Sequence, residues 1–489
     1  MPMIPFGQWR PDVSDHQADH IAELSNVVPR ADGYGPVQEF EAYSDEAPAA
    51  CRGLFRATRT DGTPAIFYGT INHLYLMNNT TQAWEEVSKG AVAYTDLSIN
   101  HNWQFAQFGD FVIAVQANSV PQMYDLTGST NFADLGGSPP QASYIAIVGR
   151  FVVLTGLLSE PYRVQWSDLN DPADWSTGSS DFQDLPDGGI VRGVAGGEYG
   201  TIFQDGSIRR MIFVPGSPLI FQIERVSEEI GIYAPYSIVR SGHRVFFLST
   251  NGFHVIGPGG TPEPIGRARV DRTVLGELDT GNLQLVIGTT DPKTTLVYWC
   301  YPATSGESGL YDNLLAYDYV LDRWSLITHG RGEYIASLSQ PGITLDGLDT
   351  LYTSIDDIPG SLDQFPSGTF PEIASVNSSH RVGFYSGINL EANIETSEMH
   401  MDSQRSGNRV FVRGFRVISD APTVYGSVSS RENAGASRTY SAETPANTQG
   451  VCPQRVSTKF ARGKIRIPEG TSWTFAQGIE PDLVTLGTK

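Results

Sequence analysis

The stretch LNDPADWSTG, residues 169–178, ends a polar turn on a large aromatic side chain. Asn170, Asp171 and Pro172 are typical turn formers, and none of them buries much apolar area. Trp175 follows them after only two further residues. Because a tryptophan buries far more apolar surface than a short turn can cover, we expect its ring to pack against a neighbouring unit of structure.

The chain repeats this arrangement at a regular interval. A bulky residue follows a turn at six positions, which lie 43 to 59 residues apart: Trp84, Phe132, Trp175, Phe221, Ile265 and Trp324. The longest interval includes the Gly/Ser-rich insertion ATSGESG at 303–309. A period of about 40 to 50 residues with several short strands in each unit is typical of β-propeller blades. We therefore predict six or seven blades, with Trp175 in the core between two of them.

Composition supports an all-β chain. Charged residues are only 18% of the 489 positions, aromatic residues are 11%, and there are 51 glycines and 30 prolines. Short runs rich in β-branched and aromatic residues predict strands at 110–116, 150–156, 244–250, 294–301 and 409–415. Only 15–24 and 271–278 have a short helical pattern.

A change of pattern predicts a second domain. Residues 354–379 are rich in Pro, Gly, Ser and Asp, and we expect a linker or long loop without a clear strand. The predicted fold is an all-β, six- or seven-bladed β-propeller at 46–365 with an appended C-terminal β-sandwich-like platform domain at 380–489. Residues 1–45 are predicted to be an extended segment that packs on this C-terminal domain.

The bulk properties restrict the function. A net charge of −21 excludes a protein that wraps nucleic acid with a basic surface, although it allows a conduit along which DNA slides without sticking. Cys51, Cys300 and Cys452 lie far apart and are expected to be buried or half-buried free thiols. No apolar run is long enough for a membrane span, and the N-terminal residues lack the pattern of a signal peptide.

Two segments have the residue types of a cation site. In DHQADH, a helix would place His16 and His20 on one face at metal-ligand spacing, beside Asp15 and Asp19, but no distant third ligand is indicated. The loop that begins at Asp168 has Asn170 at its third position and Pro172 at its fifth, and it lacks the downstream glycine of a calcium loop. A solvated turn is the simpler interpretation of the first segment, and the calcium pattern fails in the second. We therefore predict no metal site.

Other motifs of catalysis and binding are weak or missing. The Gly-rich stretch at 193–200 should be followed by a strand–turn–strand unit with Asp205-Gly206 as the hairpin turn, which excludes a nucleotide loop. No GxSxG or HExxH sequence occurs, so we predict no catalytic residues, no cofactor and no enzymatic activity. Arg209 and Arg210 are too few for a nucleic-acid patch. A more basic run places Arg455, Lys459, Arg462, Lys464 and Arg466 on a predicted strand, either on a solvated or subunit-facing side or on a docking face for an acidic neighbour.

Several segments resemble one protein family. They are NVVPRADGYGP near the N-terminus, the segment from GRFVVLTG to NDPADW, RGVAGGEYGTIFQDGSIRRMIF, GIYAPYSIVRSGHRVFFLSTNGFHVI and YDNLLAYDYVLDRWSLI. Together they are similar to the packaged-DNA stabilisation proteins of short-tailed phages, which form the tail nozzle or hub. The resemblance is one of pattern over most of the chain, without a single diagnostic motif.

The resemblance implies a structural protein of the virion tail, assembled in the host cytoplasm. Each subunit would carry a propeller and a platform-like β domain, and six would form a ring below the portal and its adaptor ring. That ring would close the tail channel, retain packaged double-stranded DNA and conduct it during ejection, with tail fibres or spikes docked at its periphery.

Two alternatives remain open from the sequence. One is a receptor-binding or fibre-associated propeller, with or without activity on surface polysaccharide, which predicts a monomer or trimer. The other is a host-encoded propeller scaffold that binds peptides, which predicts no virion association and no ring.

Overall fold

The computed structural model describes residues 3–14, 20–21, 23–217, 219–258, 260–328, 330–340, 354, 370–400, 409–433 and 435–486. These residues fold as an all-β protein, and they form seven four-stranded antiparallel sheets, which are the blades of a β-propeller. The predicted fold class is therefore confirmed. The described blades number seven, the larger of the two predicted values.

The first three blades follow one another along the chain. Blade 1 consists of strands Gly53–Thr58, Pro64–Gly69, Leu74–Met77 and Trp84–Glu86. Blade 2 consists of Gln104–Phe108, Phe111–Gln116, Ser119–Asp125 and Ala133–Asp134. Blade 3 consists of Ala142–Val148, Phe151–Leu157, Arg163–Trp166 and Asp181–Asp184. In each blade the first strand is innermost, because it contacts the first strand of the neighbouring blade.

The next three blades repeat this order. Blade 4 consists of Val191–Ala195, Gly200–Gln204, Ile208–Phe213 and Phe221–Ser227. Blade 5 consists of Val239–Ser241, Arg244–Ser249, Gly252–Ile256 and Pro262–Pro264. Blade 6 consists of Ile287–Thr290, Leu296–Tyr301, Asn313–Asp318 and Arg323–Ile327. All five strands predicted from their apolar runs are present, four of them in blades 2, 3, 5 and 6 and one at Val410–Ser419.

Blade 7 joins distant parts of the chain. It consists of Gly332–Leu338, Glu372–Asn377, Val382–Asn389 and, as its outermost strand, Gln38–Ala42 from near the N-terminus. The prediction of a strandless segment over 354–379 is therefore wrong for Glu372–Asn377. The blades also extend beyond the predicted limits of 46 and 365, because the ring closes by pairing its last blade with an early strand.

The remaining strands form two larger sheets and one two-stranded sheet, Gln8–Trp9 with His20–Ile21. The first has Val451–Thr458, Val410–Ser419, Ala476–Thr485, Gly33–Pro36 and Val27–Arg30 in order, with Ile4–Pro5 paired to Ala476–Thr485. The second has Thr439–Tyr440, Tyr425–Arg431, Phe460–Ile467, Ala392–Glu395 and Leu24–Ser25, with Met399–His400 and Thr444–Pro445 paired at its sides. Strands from the first 36 residues thus enter both C-terminal sheets.

One predicted helix is present and the other is not. Asp271–Glu277 is an α-helix, and short 3₁₀ turns lie at Lys89–Ala91, Pro186–Gly188, Pro235–Ser237 and Leu283–Leu285. Residues 15–19 and 22 of the other candidate lie outside the described residues, but His20–Ile21 and Leu24–Ser25 are strands, so the helix predicted to end at residue 24 is wrong there. His20–Ile21 pairs in parallel with Gln8–Trp9, a partner that local sequence does not reveal. No helix in the described part of the chain is long and apolar enough to cross a membrane.

Four of the six bulky residues that follow the turns pack against the preceding blade: Phe132, Trp175, Phe221 and Trp324. Trp175 of blade 3 is buried in a cluster with Ile113 and Val115 of blade 2, and its indole N–H donates to the Pro172 carbonyl at 2.9 Å. The ring centroid of Trp324 in blade 6 lies 5.1 Å from that of Phe253 in blade 5. Filling the wedge between blades is therefore the role of these four side chains. Trp84 lies instead against Tyr68 of its own blade, and Ile265 lies beside Trp324 of the following blade.

The propeller and the C-terminal sheets share one hydrophobic core. Phe6, Trp9 and Tyr34 of the N-terminal segment are buried in a cluster that continues from Trp324 in blade 6 to Phe415 in the first C-terminal sheet. Backbone contacts reinforce it, since the Asn26 N–H donates to the Leu326 carbonyl at 2.9 Å. The N-terminal segment therefore ties the two parts of the molecule together.

Candidate functional site

The seven innermost strands surround a narrow axial cavity. Its volume is about 270 Å³, and it is lined by six blades and by the segment that leads into blade 5, with Leu54, Phe105, Tyr144, Val194, Ile287 and Tyr334 among its lining residues. The major groove of duplex DNA alone is about 12 Å wide. A cavity of this size, partly filled by tyrosine rings, leaves no room for a duplex along the propeller axis.

A loop closes this cavity on one face of the propeller. We call this the upper face, the face at which the innermost strands begin. Residues 98–103, just before blade 2, cross it: the Asn102 N–H donates to the Tyr236 hydroxyl, and Asn102 Nδ2 donates to the Gln284 carbonyl, both at 2.8 Å. Tyr236 and Gln284 precede blades 5 and 6, so the loop spans the mouth of the axis.

Arg52 fixes the same loop from blade 1. Its Nε donates to Asn102 Oδ1 at 3.0 Å, and its Nη2 donates to the backbone carbonyls of Ser98, Ile99 and His101. A guanidinium presents several donors in a fixed plane, which suits it to collecting the carbonyls of a turn. The loop is therefore held at both ends of its path across the axis.

A second, larger cavity lies above this loop, and we call it the mouth cavity. Its volume is about 480 Å³. Five blades contribute to its wall: Asn100, His101, Tyr144, Arg192, Asp205, Ile232, Tyr233, Pro235, Thr250, Thr280, Leu283 and Gln284. Most of these residues lie at the starts of innermost strands or in the segments that lead into them, and Asp205 and Thr250 lie in the tight turns of blades 4 and 5. Both kinds of position are at the upper face. The volume is within the roughly 300–1,000 Å³ of small-molecule sites.

The charges on the wall are balanced. Arg192 Nε lies 2.6 Å from Asp205 Oδ1, and Asp205 Oδ2 also accepts the Ile190 N–H at 3.1 Å. Burial lowers the pKa of His101, and the nearby Arg52 and Arg192 lower it further. Because the ordinary histidine pKa is already about 6.5, His101 is neutral at pH 7.

Two polar atoms of the wall residues have no hydrogen-bond partner in the described part of the chain, and both are buried behind the surface of the cavity. Gln284 is buried, and its Nε2 donates to Asn282 Oδ1 at 3.1 Å, but among the described residues its Oε1 has no hydrogen-bond partner. His101 Nδ1 is likewise without a partner in the described structure. A buried polar atom without a partner costs free energy, so such atoms often mark a place for a ligand or ordered water.

The described residues form neither of the two metal sites considered from the sequence, and most of the first candidate lies outside them. Asp15, His16 and Asp19 lie outside the described residues, and His20 is buried in a strand. Asp168 Oδ1 accepts the Ser179 N–H at 2.6 Å, so this carboxylate is used to hold its own loop. Among the described residues, no group of three or more His, Cys, Asp or Glu side chains is placed to hold a metal ion.

The other sequence candidates have structural roles. Residues 193–200 connect two strands, and Asp205-Gly206 forms the predicted hairpin turn, with the Gln204 N–H donating to the Ser207 carbonyl at 2.9 Å. Arg209 pairs with Asp187, and the neighbouring Arg210 guanidinium lies 5.2 Å from the centre of the Tyr199 ring. Neither the glycines nor the two arginines are placed as a phosphate site.

The basic run is largely neutralised within the chain. Arg462 is fully buried, and its Nη1 lies 3.0 Å from Glu395 Oε2. Lys464 pairs with Glu23, and Arg466 pairs with Glu391 and Glu443. Three of the five cations are therefore paired within the second C-terminal sheet. A docking face for an acidic neighbour would keep few unpaired positive charges here.

The three cysteines are free and buried, as predicted. Burial raises the pKa of Cys300 to about 12 and that of Cys452 to about 11. Thiols with such a pKa remain protonated and are poor nucleophiles at neutral pH. They fill core positions.

The mouth cavity itself was not predicted. Its polar residues come from segments near 100, 192, 205 and 284, of which the first leads into blade 2, the next two belong to blade 4 and the last leads into blade 6. No local motif joins them, since only ring closure brings the segments together. A seven-blade alignment of the segments before each innermost strand is the one signal that could have indicated the cavity.

No family model matches the chain, and no curated protein matches it. Solved structures similar to it include a streptogramin B lyase, with a TM-score of 0.38, 11% identity and coverage of 59% of this chain and 86% of that one. Another is the dihydro-heme d1 dehydrogenase NirN in complex with DHE, with a TM-score of 0.35, 13% identity and coverage of 62% and 60%. A third is a quinonprotein alcohol dehydrogenase-like protein from Bacteroides thetaiotaomicron, with a TM-score of 0.33, 13% identity and coverage of 57% and 66%.

Proposed function

We propose that this chain is a structural protein of a phage tail, a nozzle or hub subunit that assembles into a six-membered ring. The ring would sit below the portal and its adaptor ring, retain packaged DNA and conduct it during ejection, and carry fibres or spikes at its periphery. The observation that carries the proposal is the pairing of a closed seven-bladed propeller with a second β unit through shared N-terminal strands. The resemblance of the sequence to the nozzle family implies the same combination of a propeller and a second β domain.

Steric reasoning places the proposed DNA channel between subunits. The axial cavity of about 270 Å³ and the loop held by Asn102 leave no path for a duplex through one propeller. A conduit built from this chain therefore needs several copies around a common axis. Heterologous contacts between identical subunits generate such a ring whenever the rotation between neighbours closes.

The charge of the chain suits a conduit. At −21 per subunit, a ring of six copies repels the phosphate backbone instead of binding it. Phosphate contacts add along a duplex, so even weak attraction along a channel would slow ejection. Retaining pressurised DNA would then be a steric task, which requires no catalytic residue.

The mechanical coupling also suits a load-bearing ring. The N-terminal segment contributes strands to blade 7 and to both C-terminal sheets, and buries Trp9 and Tyr34 between blade 6 and those sheets. A force on one part of the subunit is therefore transmitted through paired strands and a continuous core. A flexible linker could not transmit it in this way.

Mass photometry and negative-stain electron microscopy of the purified chain test the proposal. We expect particles near six times the subunit mass of 53.3 kDa, with six-fold symmetry and a central opening, and no retention of duplex DNA at physiological salt. A monomer or trimer at every concentration up to micromolar would contradict the ring. Tight binding of duplex DNA by the ring would contradict the conduit.

A further inference from the structure

The axial cavity contains a positive charge that the described chain does not balance. Arg56, in the innermost strand of blade 1, lines this cavity and is partly buried. Its side chain forms no ion pair and no hydrogen bond with a described residue. Burial alone lowers the pKa of its guanidinium, with no carboxylate close enough to oppose the effect. Because the ordinary pKa of arginine is above 12, the group stays charged.

Counter-ions are plentiful elsewhere in the chain. It has 54 Asp and Glu residues against 33 Lys and Arg residues. In blades 3 and 4, Arg163 pairs with Asp184 and Arg192 pairs with Asp205. None of the described residues that line the axial cavity is an Asp or a Glu. A partly desolvated cation without a counter-ion costs free energy, so this site favours an anion over water alone.

Two neutral side chains share the cavity wall with Arg56. Gln104 begins the innermost strand of blade 2, and Thr289 lies in that of blade 6. Neither side chain forms a hydrogen bond with a described residue, and their polar atoms remain accessible. The Nε atom of Arg56 is covered, which leaves its two Nη groups as the donors that it can present. A guanidinium, an amide and a hydroxyl therefore offer hydrogen atoms to one cavity.

The size and shape of the cavity restrict the anion. A volume of about 270 Å³ is below the roughly 300–1,000 Å³ of sites for drug-sized ligands, so the occupant has few atoms. The donors belong to three blades, which approach the axis from different directions. A tetrahedral oxyanion presents oxygens in several directions, whereas a carboxylate has both oxygens in one plane. Hydrogen bonds from arginine to such an anion are charge-assisted and therefore strong.

The anion can reach the site from the lower face, at which the innermost strands end. Residues 98–103 cross the upper mouth and are held there by Asn102. Arg56 is the fourth residue of a six-residue strand, and Thr289 is the third of four, so both lie in the lower half of the axis. Entry from that side does not require the loop to move.

We propose that the axial cavity binds one small tetrahedral oxyanion, with Arg56 as its charged partner and Gln104 and Thr289 as neutral hydrogen-bond donors. The site goes beyond the conduit role and does not depend on ring assembly. Since the donors come from blades 1, 2 and 6, the bound anion joins innermost strands across the axis and stabilises the closed propeller.

Isothermal titration calorimetry of the full chain tests the site. The probes are sodium phosphate and sodium sulfate at millimolar concentration, with sodium acetate as a planar anion, and sodium chloride keeps the ionic strength constant. We expect saturable binding of phosphate or sulfate and about tenfold weaker binding of acetate. Arg56→Met should weaken binding about tenfold or more, and Thr289→Val about threefold, because each removes a donor and keeps most of the side-chain volume.

Arg150→Gln is the matched control. Arg150 is an exposed arginine in the hairpin between the first two strands of blade 3, and it forms no ion pair with a described residue. Its replacement removes the same charge away from the axis and should leave anion binding unchanged. Thr289→Val keeps the test decisive if Arg56→Met fails to fold.

Four outcomes would overturn the proposal. They are no saturable binding of either tetrahedral anion, acetate binding as tight as that of both, unchanged binding in every folded variant of Arg56 and Thr289, and equal weakening by Arg150→Gln. The last would show that the anions respond to the overall charge of the protein instead of to the axial cavity.

Discussion

Trp324 illustrates how one side chain joins two blades. Only 1% of it is exposed, and its ring centroid lies 5.7 Å from that of Trp299 and 4.5 Å from that of Tyr317 in its own blade. Its indole N–H donates to the Ile265 carbonyl, just after blade 5, at 3.2 Å. The residue therefore provides apolar area and a directional bond across the same interface.

Replacing Trp324 with a small residue should destabilise the folded protein. We expect Trp324→Ala to lower the free energy of unfolding by about 3–5 kcal/mol, because it leaves a large cavity among three aromatic rings. Trp84→Ala is the matched control, since Trp84 is only half-buried and stacks mainly on Tyr68. Chemical denaturation followed by circular dichroism measures both, and equal losses in the two variants would contradict the role given to the wedge.

Asp271 makes stability depend on pH. Its Oδ1 accepts the Phe253 N–H at 3.0 Å, and burial, with a smaller contribution from Asp12, raises its pKa to about 6. The folded state therefore holds the proton more tightly than the unfolded state. This contribution to stability is complete below about pH 4 and is lost as the pH rises through about 6.

Asp271→Asn should remove that loss. We expect the variant to match the wild type near pH 4 and to exceed it by on the order of 1–2 kcal/mol at pH 7, because an amide needs no ionisation. Thermal unfolding from pH 4 to 8 measures the difference. Asp279→Asn is the control of opposite sign, since hydrogen bonds from Asn282 and Gly281 lower the pKa of Asp279. A difference between wild type and Asp271→Asn that did not change with pH would contradict the assignment.

At the level of elements, the loop at 98–103 determines the shape of the upper face. Asn102 is 97% buried, with 3% exposed, and all its side-chain and amide hydrogen bonds go to Arg52, Tyr236 and Gln284. We expect Asn102→Ala to cost about 1–3 kcal/mol, because it leaves buried partners unsatisfied. Hydrogen exchange of peptides covering 98–103 should accelerate as well.

Asn118→Ala is the control for this loop. Asn118 Nδ2 also donates to this loop, to Ser98 Oγ at 3.4 Å, and to the Asp96 carbonyl just before it at 2.9 Å, but from a more exposed position at the tight turn of blade 2. Its loss should change stability and exchange much less. Equal losses of stability in Asn102→Ala and Asn118→Ala would contradict the conclusion that the hydrogen bonds of Asn102 across the axis hold the loop.

Strand type was predictable in this chain, but strand partners were not. The apolar runs at 244–250 and 294–301 carry their own signal, since alternation and β-branched residues favour strands wherever they occur. Gln38–Ala42 is polar and half-exposed, and it becomes the outer strand of blade 7 only because Val382–Asn389 offers an open edge. Residues 354–379 were dominated by turn formers, which concealed the strand at Glu372–Asn377.

For the whole molecule, the repeat of bulky residues predicted the propeller ring. The mouth cavity could not be predicted, because it exists only once the ring of blades has closed. The regular spacing of the bulky residues from Trp84 to Trp324 indicates repeated sheets. Sheets of this kind bury both faces by packing around an axis. The polar set of Arg192, Asp205 and Gln284 carries no such interval. Arg192 and Asp205 are neighbours because they share a hairpin of blade 4, whereas Gln284 reaches them only through closure of the ring, a property of the whole chain.

A three-dimensional cryo-electron microscopy reconstruction of the assembled protein tests the central claim most directly. We expect six seven-bladed subunits around a lumen wide enough for a duplex, with every propeller axis displaced from that lumen and the mouth of each propeller still closed by residues 98–103. A reconstruction without a closed ring, or one in which the lumen runs along the axis of a propeller, would contradict it.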